Sequence, residues 1–421
     1  MPQKTMPRNL PLSAALLFFL SPAFAAEKII TFSAGTGAEA QARLIASRGG
    51  RIVKEFSFIN AVLADFPENT KAADITRSPG VDGAEDDREI YWLSSDEAPF
   101  AAAAAISAGA VRDGGTLPGE PPAVSSPSAP QPPDYLSIAS ANGNPDRMPW
   151  SLQRLEVPPA WARTMGAGAR VAVLDTGVDC AHPDLAPNCL PGYNVINPGA
   201  LPADDKGHGT HVAGIIAGAL NGRGMVGVAP KASIFPVKVL NSSGTGKISE
   251  IIAGIEWAVQ NRADVINMSL GAPGYSEAQA KAVKAASAAG ILVVCAAGND
   301  AGPVDYPGAY PDAVAVTALD YADKLADFSC KGPEVAFAVP GVKIYSSYPD
   351  GKFNILSGTS QAAPHVSGLA ALAVSLGLHG PDAIRAALVK ASAGLGLPPQ
   401  EQGAGLPSAA RLVNNIISGR Q

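Results

Sequence analysis

Four residues carry the side chains that acyl transfer needs. Asp175 closes the stretch Val-Leu-Asp175-Thr-Gly-Val-Asp179. His208 opens Gly207-His208-Gly-Thr-His211-Val-Ala-Gly214. Ser360 sits in Ser357-Gly358-Thr359-Ser360-Gln361-Ala-Ala-Pro364-His365, and Asn299 in Ala297-Gly298-Asn299-Asp300. A serine hydroxyl is a poor nucleophile until an imidazole accepts its proton. The imidazole must hold one tautomer, which a buried carboxylate fixes. The oxyanion that forms needs aimed donors. The Asn299 amide and the backbone N–H of Ser360, at a helix start, suit that role. Singly, each residue has a plainer reading. Asp175 and Asn299 suit turns, and His208 and Ser360 suit helix starts. Together they supply a nucleophile, a base, a carboxylate and an amide donor, all at element ends.

Those ends belong to an alternating pattern. Strands are predicted at 170–174, 234–240, 265–269 and 291–297, with helices at 209–219, 248–260, 276–289 and 360–376. Near-continuous apolar strands alternating with helices predict an α/β domain, with a parallel sheet covered on both faces. Sites in such sheets lie beyond the carboxyl ends of the strands. This domain is assigned to 147–416. A smaller α+β unit is predicted over 26–95: strands at 29–32, 51–58, 61–66 and 89–93, helices at 38–47 and 68–77, and a tight join at Asn60. Its βαββαβ order is ferredoxin-like. Residues 96–146 pass from an alanine run into Pro, Gly and Ser, which predicts a linker.

The N-terminus reads as an address. Lys4 and Arg8 precede a short apolar run, and Ala23-Phe24-Ala25 gives a small-x-small pattern. Residues 1–25 are predicted to be a secretory signal peptide, with no membrane attachment after its removal. The destination is then secreted, extracellular or periplasmic, where cysteines pair. Cys180 and Cys189 flank a turn-rich loop and can bridge. Cys295 and Cys330 form either a second bridge or two buried thiols. The 421 residues contain 47% apolar and 16% charged residues, which excludes a disordered chain. A net charge of −6 without a basic stripe argues against nucleic-acid binding.

The motifs Asp-Thr-Gly at 175–177, His-Gly-Thr-His-Val-Ala-Gly at 208–214 and Gly-Thr-Ser-x-Ala-Ala-Pro-His at 358–365 resemble those of the subtilisin-like serine proteases, in the order Asp, His, Ser. The resemblance spans about 147–416. It implies a three-layer subtilisin-like fold and a serine endopeptidase. Asp175, His208 and Ser360 become its triad and Asn299 its oxyanion donor. The substrate strand falls on Ser269, Leu270 and Gly271, and Asp305 lies near the first specificity pocket. Residues 27–93 look like the family's inhibitor-type propeptide, which implies a self-processed zymogen with its own prosegment as intramolecular inhibitor. Peptides or proteins are the substrates, and a monomer is expected. No cofactor is needed for the chemistry. A structural Ca²⁺ is implied at Asp184, in His182-Pro-Asp184-Leu, and at Asn221, since hard oxygen donors suit it. Gln361 departs from the methionine that many members carry after the nucleophile.

Other motifs carry less. Gly222-Arg-Gly224-Met-Val-Gly227 fits GxGxxG but follows a helix rather than a strand. His208 and His211 lie one turn apart without a glutamate base between them, so His211 is expected to pack structurally. No GxSxG elbow occurs. Asp179, Asp204 and Asp205 read as loop and turn residues. A narrow processing protease and an inactive binding protein of the same fold are the rival readings.

Overall fold

A computed structural model describes residues 24–93, 135–139 and 145–420. All but the last two residues of the predicted signal peptide, and most of the linker, fall outside these residues. The N-terminal unit comprises β1 (Phe24–Phe32), α1 (Ala38–Ser47), β2 (Arg51–Phe56), β3 (Ala61–Pro67), α2 (Ala72–Thr76) and β4 (Val81–Asp86), its sheet ordered β2-β3-β1-β4. This is the ferredoxin-like order, antiparallel throughout. Ile30, Phe32, Ile45, Val62, Phe66 and Ile75 fill its own small core. Asn60 takes the left-handed conformation at the tight join, and its side chain ties back to the carbonyls of Phe32 and Ser33.

Two expectations need correction here. The second helix is Ala72–Thr76, shorter than the predicted 68–77. The fourth strand of the sheet is β4, not the segment at 89–93. That segment does form a strand, β5 (Glu89–Tyr91), but it pairs outside its own unit. β4 carries Asp82, Gly83, Glu85 and Asp86, a composition that hides a strand.

The remainder is built on a seven-stranded parallel sheet. Its strands are β8 (Arg170–Asp175), β9 (Tyr193–Asn194), β10 (Ser233–Lys238), β12 (Val265–Met268), β13 (Leu292–Ala296), β14 (Ala313–Leu319) and β15 (Val335–Pro340), after a hairpin of β6 (Tyr135–Ala139) and β7 (Pro145–Pro149). The order is β15-β14-β13-β12-β8-β10-β9. The chain runs from β8 to β10 on one side, then crosses to β12 on the other. β8 is therefore where strand order reverses, and a crevice opens beyond its carboxyl end.

Helices cover both faces. After the short α3 (Trp150–Arg154) and α4 (Val157–Trp161), α5 (His208–Ala217) and α8 (Thr359–Ser375) pack on one face, and α6 (Ile248–Gln260) and α7 (Glu277–Ala288) on the other. Every residue of α5 is buried, and every residue of α8 but its last. Neither helix has a solvent face, so the polar residues they carry point into the fold rather than forming a surface stripe. The α6–α7 face is continuous with Ile29, Phe56, Leu63, Trp92 and Leu93 of the N-terminal part, so that unit docks on those helices. Cys180 and Cys189 form a disulfide, while Cys295 and Cys330 are buried free thiols.

Candidate active site

Asp175 is the last residue of β8 and is fully buried. Its carboxylate meets His208 Nδ1 at 2.8 and 2.9 Å and accepts the Thr176 N–H at 2.7 Å. Burial pushes its pKa up and the neighbouring His208 pulls it down. His208 begins α5 just after Gly207, whose φ of 101° favours glycine.

The strand end and the helix start are held together by Asp204. One carboxylate oxygen accepts Thr176 Oγ1 at 2.8 Å and the Gly207 N–H at 2.8 Å, and the other accepts the Thr210 N–H at 2.9 Å. Thr176 Oγ1 in turn accepts the Gly209 N–H at 3.0 Å. Asp204, expected to be a plain turn residue, is thus a positioning residue for the Asp175–His208 pair. Asp205 pairs with the buried Lys238 at 2.7 Å, and Asp179 accepts the Ala181 N–H in its own loop at 3.0 Å and the distant Asp350 N–H at 3.0 Å.

Ser360 lies in the first turn of α8 and is 2% exposed. Its hydroxyl donates to the Ser269 carbonyl at 3.1 Å, and Ser269 Oγ donates to the Ser360 carbonyl at 2.8 Å. A buried chain supports this pair: Ser367 Oγ donates to Asn267 Oδ1 at 2.8 Å, and Asn267 Nδ2 donates to Ser269 Oγ at 2.9 Å. Sequence reasoning missed Asn267 and Ser367, whose polarity inside β12 and α8 was the available signal. Asn299 follows β13. Its Oδ1 accepts the Thr359 N–H at 2.8 Å and Thr359 Oγ1 at 2.9 Å. Using Oδ1 on the residue before Ser360 fixes which end of the amide is the donor end.

His211 packs structurally, as expected. Its Nε2 lies 3.1 Å from the Ile344 carbonyl, and burial drives its pKa down to about 3. His365 is likewise buried and held at about 4. Gln361 is fully buried, and both ends of its amide lack a hydrogen-bond partner among the described residues.

A strand of the N-terminal unit pairs with the larger domain next to the segment that carries Ser269. β5 pairs antiparallel with β11 (Thr245–Lys247). The Trp92 N–H donates to the Gly244 carbonyl at 3.1 Å, and the Gly271 N–H donates to the Trp92 carbonyl at 3.1 Å. The indole Nε1 donates to the Gly246 carbonyl at 2.8 Å. β5 and the following Trp92 therefore run between 244–247 on one side and Gly271 on the other, the geometry of strand addition. Further back, Asp87 accepts the Ser249 N–H at 2.9 Å and Ser249 Oγ at 2.7 Å. Glu85 accepts Ser276 Oγ at 2.9 Å and the Ala278 N–H at 3.0 Å. These acids meet the N-termini of α6 and α7, where negative charge is favoured. Ion pairs join Glu27 to Lys247 and Asp82 to Lys281.

Asp184 and Asn221 also come together, at 3.5 Å, and Asp184 accepts the Met225 N–H at 2.8 Å. Asp146 joins them, accepting the N–H groups of Gly222 and Arg223 at 2.9 and 3.0 Å. The predicted linker over 96–146 therefore gives way to the larger domain before Asp146, which is fully buried beside the loop at 221–225. Burial raises Asp184 to about 6, and the Asp146 charge adds to the rise. Neither carboxylate is ion-paired among the described residues. Two buried acids and an amide are hard donors suited to Ca²⁺.

The subtilase family model matches residues 166–405, more than half of the chain. This chain is a subtilase. Subtilisin DY of Bacillus licheniformis is 46% identical over 215 residues, covering 50% of this chain and 78% of that protein. Subtilisin Savinase of Lederbergia lenta is 45% identical over 227 residues, 53% of this chain and 83% of the relative. Subtilisin E of Bacillus subtilis (strain 168) is 43% identical over 235 residues, 54% of this chain and 61% of the relative. The subtilase is accordingly a serine endopeptidase with the three-layer α/β fold, and its chemistry needs no cofactor. No helix among the described residues is long and apolar enough to cross a membrane.

Proposed function

We infer that this subtilase is a secreted monomeric endopeptidase made as a self-processing zymogen, with Ser360, His208 and Asp175 as its triad. Ser360 attacks the carbonyl of the scissile bond. His208 takes the serine proton and then delivers it to the leaving amine. Asp175 holds the imidazole and stabilises its charged form. Asn299 and the Ser360 backbone N–H at the start of α8 donate to the oxyanion, and water releases the acyl-enzyme. The observation that carries this reading is the contact of His208 Nδ1 with both oxygens of the buried Asp175, at 2.8 and 2.9 Å. It leaves Nε2 as the nitrogen available for proton transfer.

The strand at 89–92 supports the zymogen part. It takes the place of a substrate between Gly244–Lys247 and Ser269–Gly271, so the N-terminal unit acts as an intramolecular inhibitor until the chain is cut beyond residue 93. Ca²⁺ would be held by Asp146, Asp184 and Asn221, where it offsets the repulsion between two buried acids. A melting temperature that falls in EDTA supports that site, and an unchanged one removes it.

Ser360→Ala tests the reading as a whole. The variant is expected to persist as an uncut precursor that hydrolyses no casein and takes no fluorophosphonate label. Normal processing of that variant by its own activity would overturn the assignment.

A further inference from the structure

We propose that Asp305 makes this enzyme cut after lysine or arginine, its carboxylate receiving the cation of the residue whose carbonyl Ser360 attacks. The proposal rests on the endopeptidase reading above and adds the class of substrate.

Asp305 is only 9% exposed. Its backbone is fixed: the N–H donates to the Ala297 carbonyl at 2.8 Å, and its own carbonyl accepts the Ala309 N–H at 2.9 Å. Its carboxylate has neither a hydrogen bond nor an ion pair among the described residues. It sits between two walls. A methyl group on Gly271 would lie 3.0 Å from Asp305 Cβ, and one on Gly298 would overlap the carboxylate. Gly271 is the residue whose N–H holds the Trp92 carbonyl, so the acid adjoins the strand that a substrate chain touches. Gly298 precedes Asn299, the proposed oxyanion donor. A side chain entering between these walls therefore belongs to the residue whose carbonyl is attacked.

A buried carboxylate without a partner is unfavourable, so its partner is expected from outside. The titratable groups facing Asp305 are Asp300 and Cys330, with ligand atoms all within 4.8 Å of one another. Neither supplies positive charge. Burial first, and then repulsion from Asp300, raises Asp305 to about 7. A metal ion is the competing occupant. It would need the Cys330 thiolate, yet that thiol donates to Asp300 at 2.6 Å, and burial pushes it up to about 12. Adjacency to the peptide strand favours a substrate cation.

The test uses prosegment-free enzyme and four fluorogenic peptides that differ only in Lys, Arg, Leu or Phe before the scissile bond. Wild type is expected to favour Lys or Arg over Leu in kcat/KM by about 10², the scale of a buried charge pair. Asp305→Asn and Asp305→Ser should bring that ratio toward one. The Lys-to-Leu ratio, in which the His208 titration cancels, should fall below a pH of about 7 by up to about tenfold per pH unit. A ratio equal in wild type and both variants would overturn the proposal. So would micromolar Zn²⁺ inhibiting wild type but not Asp305→Asn, without any preference for Lys or Arg. Failure to cleave all four peptides, with no fluorophosphonate label on Ser360, would instead remove the endopeptidase reading beneath it.

Discussion

Asp175 and Asp305 are both buried carboxylates near one groove, and they differ in company. Asp175 is satisfied from within the molecule. It touches His208 through both oxygens and accepts the Thr176 N–H, while Asp204 braces the strand end and the helix start around it. Asp305 has a fixed backbone and, among the described residues, no partner for its charge. A carboxylate satisfied inside the fold serves geometry and holds a neighbour in place. One left unsatisfied inside the fold is suited to a ligand that arrives later.

Substitutions sharpen that contrast. Asp175→Asn keeps the shape but changes which hydrogens face His208. Turnover should fall by about 10⁴, as when a triad acid becomes an amide elsewhere. A loss below about tenfold would mean that Asp175 does not hold the imidazole. Asn299→Ala should lower turnover by about 10²–10³, the size found when this type of donor is removed from a subtilisin. A rise in KM with unchanged turnover would instead make Asn299 a substrate-binding group.

The smallest expected effect concerns pH and the docked prosegment. Glu85 and Asp87 are raised above ordinary carboxylate values, chiefly by burial against α7 and α6. A group raised in the complex holds its proton longer there than when free. Inhibition by the separate prosegment should therefore be tightest in mild acid and weaken as pH climbs through the raised values. Inhibition constants measured across that window check the sign, and strengthening with rising pH would contradict it.

The proposed catalytic residues were legible in the sequence because each is short-range and chemically distinctive. Asp175 at a strand end, His208 at a helix start and Ser360 before a long apolar run all occupy the elements expected of them. Less was legible where a residue's role depends on a distant partner. Asp204 looks like any loop acid, and only the fold brings Thr176 and Thr210 to its two oxygens. Asp146 lies beside a proline-rich stretch, and its burial depends on a loop nearly eighty residues away. The segment at 89–93 reads as extended, but its partner, β11, lies outside its own unit, and backbone groups carry no address for their partner. β14 and β15 escaped notice although both are fully buried, since short apolar runs do not declare their state by periodicity.

Active-site labelling tests the central claim most directly. Prosegment-free enzyme is treated with a fluorophosphonate, and the adduct is mapped by mass spectrometry in wild type and in His208→Ala. Stoichiometric label on Ser360 alone in wild type, reduced by several orders of magnitude in the variant, is the expected result. Label on another serine, or equal labelling with and without the His208 imidazole, would contradict it.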